Sequence, residues 1–161
     1  MINLLQFSDG NAFATSVSPF FIGESGQPAA GRLLMEVSIE GLRTLAAIDT
    51  GGYYFICHPD LADDLVPFLT DPLPMGEKGE ARLEIRGRKI KGNLYSLTVE
   101  LLDIQGDNLR VPATVFIPSL QPEEIWDLPS IIGYQGFLDH FRFGVDPEQT
   151  FFYFGPLGET Y

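Results

Sequence analysis

The segment Asp49-Thr50-Gly51-Gly52 follows directly on an apolar stretch, Leu45 to Ile48, and departs from ordinary strand composition. A carboxylate is costly to bury without partners. Asp49 therefore either faces solvent in a strand-ending turn, where Asp and Thr side chains bond nearby backbone, or belongs to a site that satisfies it. Other candidates for chemistry are weaker. His58 and His140 lie far apart without metal-ligand spacing and read as loop or helix-end histidines. Cys57, the single cysteine, sits in an apolar strand-like run and reads as a buried thiol. Neither a Gly-x-Gly-x-x-Gly nor a phosphate-binding Gly-x-x-x-x-Gly-Lys-Ser/Thr pattern occurs, and Gly-x-Ser-x-Gly is also absent, so nucleotide-binding and serine-hydrolase readings have no local support.

A second segment gives Asp49 a context. Ile131-Ile132-Gly133 is short and very apolar, and Phe137-Leu138-Asp139, Phe141, Val145-Asp146 and Phe151 to Phe154 follow it. Together with Asp49-Thr50-Gly51, this order resembles retroviral-type, retropepsin-like aspartic proteases over about residues 32–155. The resemblance implies an all-β, closed barrel-like fold with one or two short helices, and an aspartic endopeptidase that hydrolyses peptide bonds as a homodimer. It makes Asp49 the catalytic carboxylate, Thr50 the hydroxyl that braces two active-site loops against each other, and Gly51 the residue that lets the loop turn tightly. Ile132 and Gly133 become the apolar strand and close-packing point beneath that loop. The hairpin around Arg86-Gly87-Arg88 becomes a flap, so that Gly52, Arg86, Gly87, Arg88 and Ile132 are the substrate-binding candidates. Gly52 stands where the family prefers Ala or Ser.

One Asp-Thr-Gly supplies one carboxylate, and a two-fold homodimer would supply the second. Like charges about 3 Å apart share a proton, so one partner acts as base on a water while the other polarises the scissile carbonyl. Such chemistry requires no metal or organic cofactor. The alternative function on the same fold is a non-catalytic dimeric peptide-binding or assembly module.

The segments around these residues read mostly as strands. Leu33, Met35, Val37 and Ile39 alternate with polar neighbours up to a turn at Gly41, and Tyr53 to Cys57 continues the Asp49 segment in strand-favouring residues. Pro59, Asp60 and the Leu61, Leu65, Leu69 spacing predict a short helix that Pro67 ends or kinks. Ala81 to Tyr95 reads as a hairpin turning at Gly87, with further strands at Leu97 to Ile104 and Leu109 to Ile117 separated at Gly106. Pro112 places the second of these at a sheet edge. Phe137 to Phe141 suits a helical turn, and the chain closes in a hairpin through Pro147-Glu148-Gln149. Residues 1–31 lack a sustained period and read as an extended arm that could serve as a dimer contact or lid, leaving 32–161 as the domain.

Composition limits the partners. With 161 residues the chain can bury a core without staples, and 17 Gly and 12 Pro are too few for low-complexity disorder. Ten Lys and Arg against 22 Asp and Glu give a net charge of −12, which repels phosphate backbones and anionic headgroups. Nucleic acid and membrane are therefore not expected as partners. A start without a basic flank or unbroken apolar run, and a lone cysteine, lead to the expectation of a soluble cytoplasmic protein.

Overall fold

The computed structural model describes residues 5–74, 80–105 and 107–158. The turn expected at Gly106 and the first four residues of the 1–31 stretch lie outside the described residues. The chain is all-β with little helix. Its strands are β1 (Ser16–Pro19), β2 (Phe21–Ile22), β3 (Leu33–Ile39), β4 (Leu42–Tyr53), β5 (Phe55–Ile56), β6 (Glu80–Ile85), β7 (Arg88–Leu101), β8 (Leu109–Pro118), β9 (Ser130–Gln135), β10 (Phe141–Asp146) and β11 (Phe151–Pro156). One short α-helix, α1 (Ala62–Leu65), is flanked by single turns at Pro59–Leu61 and Val66–Phe68, so the leucine spacing survives only as a broken helix around Pro59 and Pro67.

Eight strands pair in the order β2-β3-β4-β9-β5-β8-β7-β6, and β3 also pairs with β7. The pairings among β3, β4, β9, β5, β8 and β7 thus run in a closed circuit, leaving β2 and β6 as extensions outside it. The largest apolar cluster includes Met35, Val37, Phe55, Val99, Val115 and Ile132, contributed by alternating inward positions of these strands, and Phe137 from just after β9. A smaller cluster (Ile56, Ala81, Ile85, Ile90, Leu94, Phe116, Leu128) carries the β6–β7 hairpin.

Two sequence expectations change. Strand β7 runs unbroken through Tyr95-Ser96, because β8 pairs along it from Gly92 to Leu101 while its other side passes from β6 to β3. Strand β8 is interior, not an edge. Pro112 is tolerated because the Thr98 N–H opposite it bonds Glu40 Oε1 instead of β8, which marks this pair as one whose amide positions point away from each other. On its other side β8 meets β5 only at Val115 and Phe116, so Pro112 deprives no neighbour of a donor. Within the 1–31 stretch, β1 pairs with β11, β2 pairs with β3, and the Val17 N–H bonds Asp103 Oδ1 at 3.2 Å.

Candidate active site

Asp49 lies near the end of β4, where three constraints meet. Strand β9 runs parallel to β4, with Ala46 opposite Ser130 and Asp49 opposite Gly133. The same β9 is antiparallel to β5, so it fills the gap between two strands that are consecutive in the chain. The chain gets from β4 to β5 through Tyr54, which adopts φ 64, the left-handed region that bulky residues avoid. Two backbone bonds hold it there: Tyr54 N–H to Gln135 O at 2.7 Å, and Gly133 N–H to Tyr54 O at 2.8 Å. A Cβ on Gly133 would come within 2.3 Å of Tyr54 O. This is why Ile131-Ile132 must be followed by glycine: the backbones touch where a side chain would stand.

Register then makes the loop protrude. After Asp49 opposes Gly133, the next pairing is Tyr53 with Gln135, so Thr50-Gly51-Gly52 bulges out of β4. The Gly51 N–H donates to Asp49 Oδ1 at 3.1 Å, which fixes one carboxylate oxygen toward the loop. Thr50 is exposed and so is Tyr53. A Cβ on Gly52 would meet Asp49 Cγ and Oδ2 at 3.5 Å, ordinary contact, so the position has room for the alanine or serine it lacks.

The other oxygen, Asp49 Oδ2, faces Arg32 Nη1 at 3.6 Å, and each side chain is a little under two-fifths exposed. A half-solvated pair of this kind is worth at most about 1 kcal/mol, but it places a cation on the candidate catalytic carboxylate. Its origin is the β3–β4 register. Ile39 opposes Leu42 and Leu34 opposes Ala47, and continuing that ladder two residues sets Arg32 across from Asp49.

Asp49, Gly51, Gly52 and Arg86 line one cavity of about 540 Å³, together with Arg32 and Arg82. The volume falls in the usual range for ligand sites. Hairpin β6–β7 supplies Leu83, Glu84 and Ile85 to the lining, and Ile131 of β9 closes it from the strand beneath Asp49. The hairpin tip turns through Arg86 (φ 50) and Gly87 (φ 76), a two-residue turn of the kind that matches strand twist. Arg86 Nη2 donates to the Pro28 carbonyl and Arg88 Nη2 to the Ile125 carbonyl at 3.2 Å, so the tip rests on two loops.

Not every candidate is in the lining. Thr50, Gly87 and Arg88 are not part of it, and Ile132 is fully buried in the main core, because neighbours on a strand point to opposite faces and its neighbour Ile131 takes the cavity side. Sequence reading also overlooked Arg32 and Arg82.

The remaining titratable candidates stand apart from this cavity. Burial pushes the Cys57 thiol up to about 12, so it stays protonated and inert. His58 Nδ1 accepts from the Asp60 N–H at 3.1 Å as a cap of the turn that follows, and His140 Nδ1 bonds the Pro112 carbonyl. Among the described residues no three His, Cys, Asp or Glu side chains converge as metal ligands. No helix among them is long and apolar enough to cross a membrane.

No family model and no curated protein matches the sequence. Among solved structures, the chain is similar to a retropepsin-like aspartic protease from Rickettsia conorii. The likeness has a TM-score of 0.46 and 14% sequence identity, over 86% of this chain and 87% of that one.

Proposed function

We propose that this chain is an aspartic endopeptidase that works as a homodimer, hydrolysing peptide bonds with a water activated between the Asp49 carboxylates of two copies. The observation that carries this reading is the seating of Asp49. It sits at a strand end pinned against Gly133, its Oδ1 held by the Gly51 amide, its carboxylate on a cavity that a hairpin tip also lines. Exposed Thr50 and Tyr53 leave the loop open to a second copy. On a two-fold axis there, the paired carboxylates would lie about 3 Å apart and share one proton. The ionised one takes a proton from water as it attacks, and the protonated one polarises the carbonyl and then helps protonate the leaving amine. The β6–β7 hairpin serves as the flap, and extended peptide lies between it and the Asp49 loop.

Cleavage of an unbiased peptide mixture across about pH 3.5 to 7.5, where a coupled carboxyl pair can hold one proton, tests this. Wild type and Asp49→Asn are run in parallel with products read by mass spectrometry, and sedimentation gives the mass of the active species. Wild type should cleave as a dimer, and Asp49→Asn should lose activity by roughly 10²–10⁴-fold or more with its fold intact. Silence from wild type, or equal cleavage by both, overturns the reading.

A second reading, a dimeric peptide-binding or assembly module without turnover, has Arg32 in its favour. The Arg32 guanidinium, 3.6 Å from Asp49 Oδ2, already engages the carboxylate oxygen that the Gly51 amide leaves free, the one a second carboxylate would have to approach. It predicts peptide binding that Asp49→Asn leaves unchanged, with no cleavage by either protein.

A further inference from the structure

We infer that the cavity beside Asp49 selects peptides that carry a carboxylate close to the scissile bond, and that Arg86 is the residue that reads it. The inference rests on the proposal that this cavity takes peptide, and adds a substrate class to it.

Charge placement is the first support. In a chain of net charge −12 with ten Lys and Arg in all, three arginines (Arg32, Arg82, Arg86) line this one cavity. Against them stand two lining carboxylates, Asp49 and Glu84. A positive spot in a negative surface concentrates anions there and steers their approach. Arg32 is engaged with Asp49, which offsets the repulsion that a substrate carboxylate would otherwise meet from the catalytic group.

The state of each arginine is the second. Arg82 Nε lies 3.6 Å from Glu80 Oε1, but both side chains are well exposed, so that pair holds Arg82 weakly. Arg86 makes no ion pair among the described residues, and its guanidinium bonds a neutral acceptor, the Pro28 carbonyl. A carboxylate accepts charge-assisted and often paired N–H bonds from a guanidinium, roughly twice as strong as those to a neutral acceptor. It can therefore displace that carbonyl.

The wall supplies the third. Ile56, Ile85, Leu128 and Ile131 give the cavity an apolar side that accepts an aliphatic stem. The shape of the chemistry is thus an apolar stem with an anionic end. A glutamate or aspartate side chain has it, and so does the free carboxyl end of a peptide.

The test uses the full-length Asp49→Asn protein, which separates binding from cleavage. The probes are short fluorescein-labelled peptides of apolar sequence with a single Glu or Gln scanned through the central positions, each made with a free and an amidated C-terminus. Binding is read by fluorescence anisotropy. The expected result is roughly tenfold tighter binding of a carboxylate-bearing peptide than of its neutral counterpart at one or two positions. Preference for Glu over Gln identifies the side chain as the source, and preference for free over amidated ends identifies the terminus. The discrimination should collapse in Asp49→Asn/Arg86→Gln and persist both in Asp49→Asn/Arg32→Gln, which removes the arginine that Asp49 no longer holds, and in Asp49→Asn/Arg110→Gln, which removes one positive charge from the distant β8. Equal binding of charged and neutral peptides, alongside cleavage by the wild type, overturns this inference and leaves the endopeptidase reading standing. Discrimination that survives Arg86→Gln overturns the role of Arg86. Absence of both binding and cleavage sinks the two readings together.

Discussion

The β3–β4 hairpin turns through Glu40-Gly41 and the β6–β7 hairpin through Arg86-Gly87, each a two-residue loop with both φ angles positive: 47° and 86° in the first, 50° and 76° in the second. Their surroundings differ. The first turn is fastened to β7: Glu40 N–H bonds Thr98 O at 3.1 Å and Glu40 Oε1 accepts from Thr98 N–H at 2.8 Å, at the seam where β3 pairs with β7 and the circuit closes. The second hairpin has β6 on the outside, paired among the described residues only with β7, and two arginine–carbonyl bonds reach from its tip to neighbouring loops. The same turn chemistry therefore stands in two settings, one hairpin tied by its backbone into the frame that the circuit makes, the other packed at its edge on the smaller apolar cluster with its tip on side-chain bonds. The first hairpin's strand β4 carries Asp49 toward its far end, and the second hairpin lines the cavity that Asp49 also lines.

The strongest way to probe the frame is through the group at its centre. Cys57 follows β5, is fully buried, and has its thiol pushed up to about 12 by burial, against 9.0 for an unperturbed thiol. A raised value in the folded state means the stability it contributes is complete below about pH 9 and is lost as pH rises toward about 12, because the unfolded chain releases the proton first. In that window stability should fall by roughly 1.4 kcal/mol per pH unit from this group alone, measured by urea unfolding, and Cys57→Ala should remove that part of the slope. At neutral pH Cys57 should react with thiol reagents only as fast as the frame opens globally. Labelling much faster than global unfolding would mean that the frame breathes locally and the contrast with the hairpin is wrong.

Next in size is Gly133→Ala. The added Cβ meets backbone atoms of Tyr53 and Tyr54, which cannot swing aside as a side chain would. Overpacking of this kind costs about 1–3 kcal/mol or more, and the relief available is to push β9 away from the Asp49 loop. Both urea stability and any peptidase activity should drop. Full activity at reduced stability would show that the β4–β9 contact braces the fold without setting the carboxylate.

Local sequence already holds part of this arrangement. Asp49-Thr50-Gly51 and Ile131-Ile132-Gly133 carry their meaning in local composition, and alternation through Leu33 to Ile39 marks β3 because one face is buried and the other is not. The ion pair of Arg32 with Asp49 was also within reach. A two-residue turn at Glu40-Gly41 fixes Ile39 opposite Leu42, and counting back along the ladder brings Arg32 level with Asp49. The continuity of β7 through Ser96, the interior place of β8 despite Pro112, and the stitching of β1 to β11 were not legible, since each depends on a partner strand distant in sequence. The gathering of Arg82 and Arg86 with Arg32 around one cavity belongs to the same class, because it needs the hairpin to lie against the frame.

The smallest expected effect is the most discriminating, because the same substitution is made twice. An ideal Cβ at Gly41 or at Gly87 meets nothing within 4 Å, so alanine at either position is charged only for its left-handed backbone, at φ 86 and φ 76. That strain is about 1–2 kcal/mol for a non-glycine residue. At Gly41 the turn cannot relax without breaking the Glu40–Thr98 bonds at the closing seam, so the whole cost should reach global stability. At Gly87 the tip can open locally by releasing Pro28 and Ile125, and the loss in global stability is capped by the free energy of that opening. Gly41→Ala should thus lower urea stability by more than Gly87→Ala, while Gly87→Ala alone should speed amide exchange at the β6–β7 tip. Equal losses at the two turns would mean that the hairpin is as rigid as the frame, and that under the proposed function peptide would have to enter the cavity without the tip lifting.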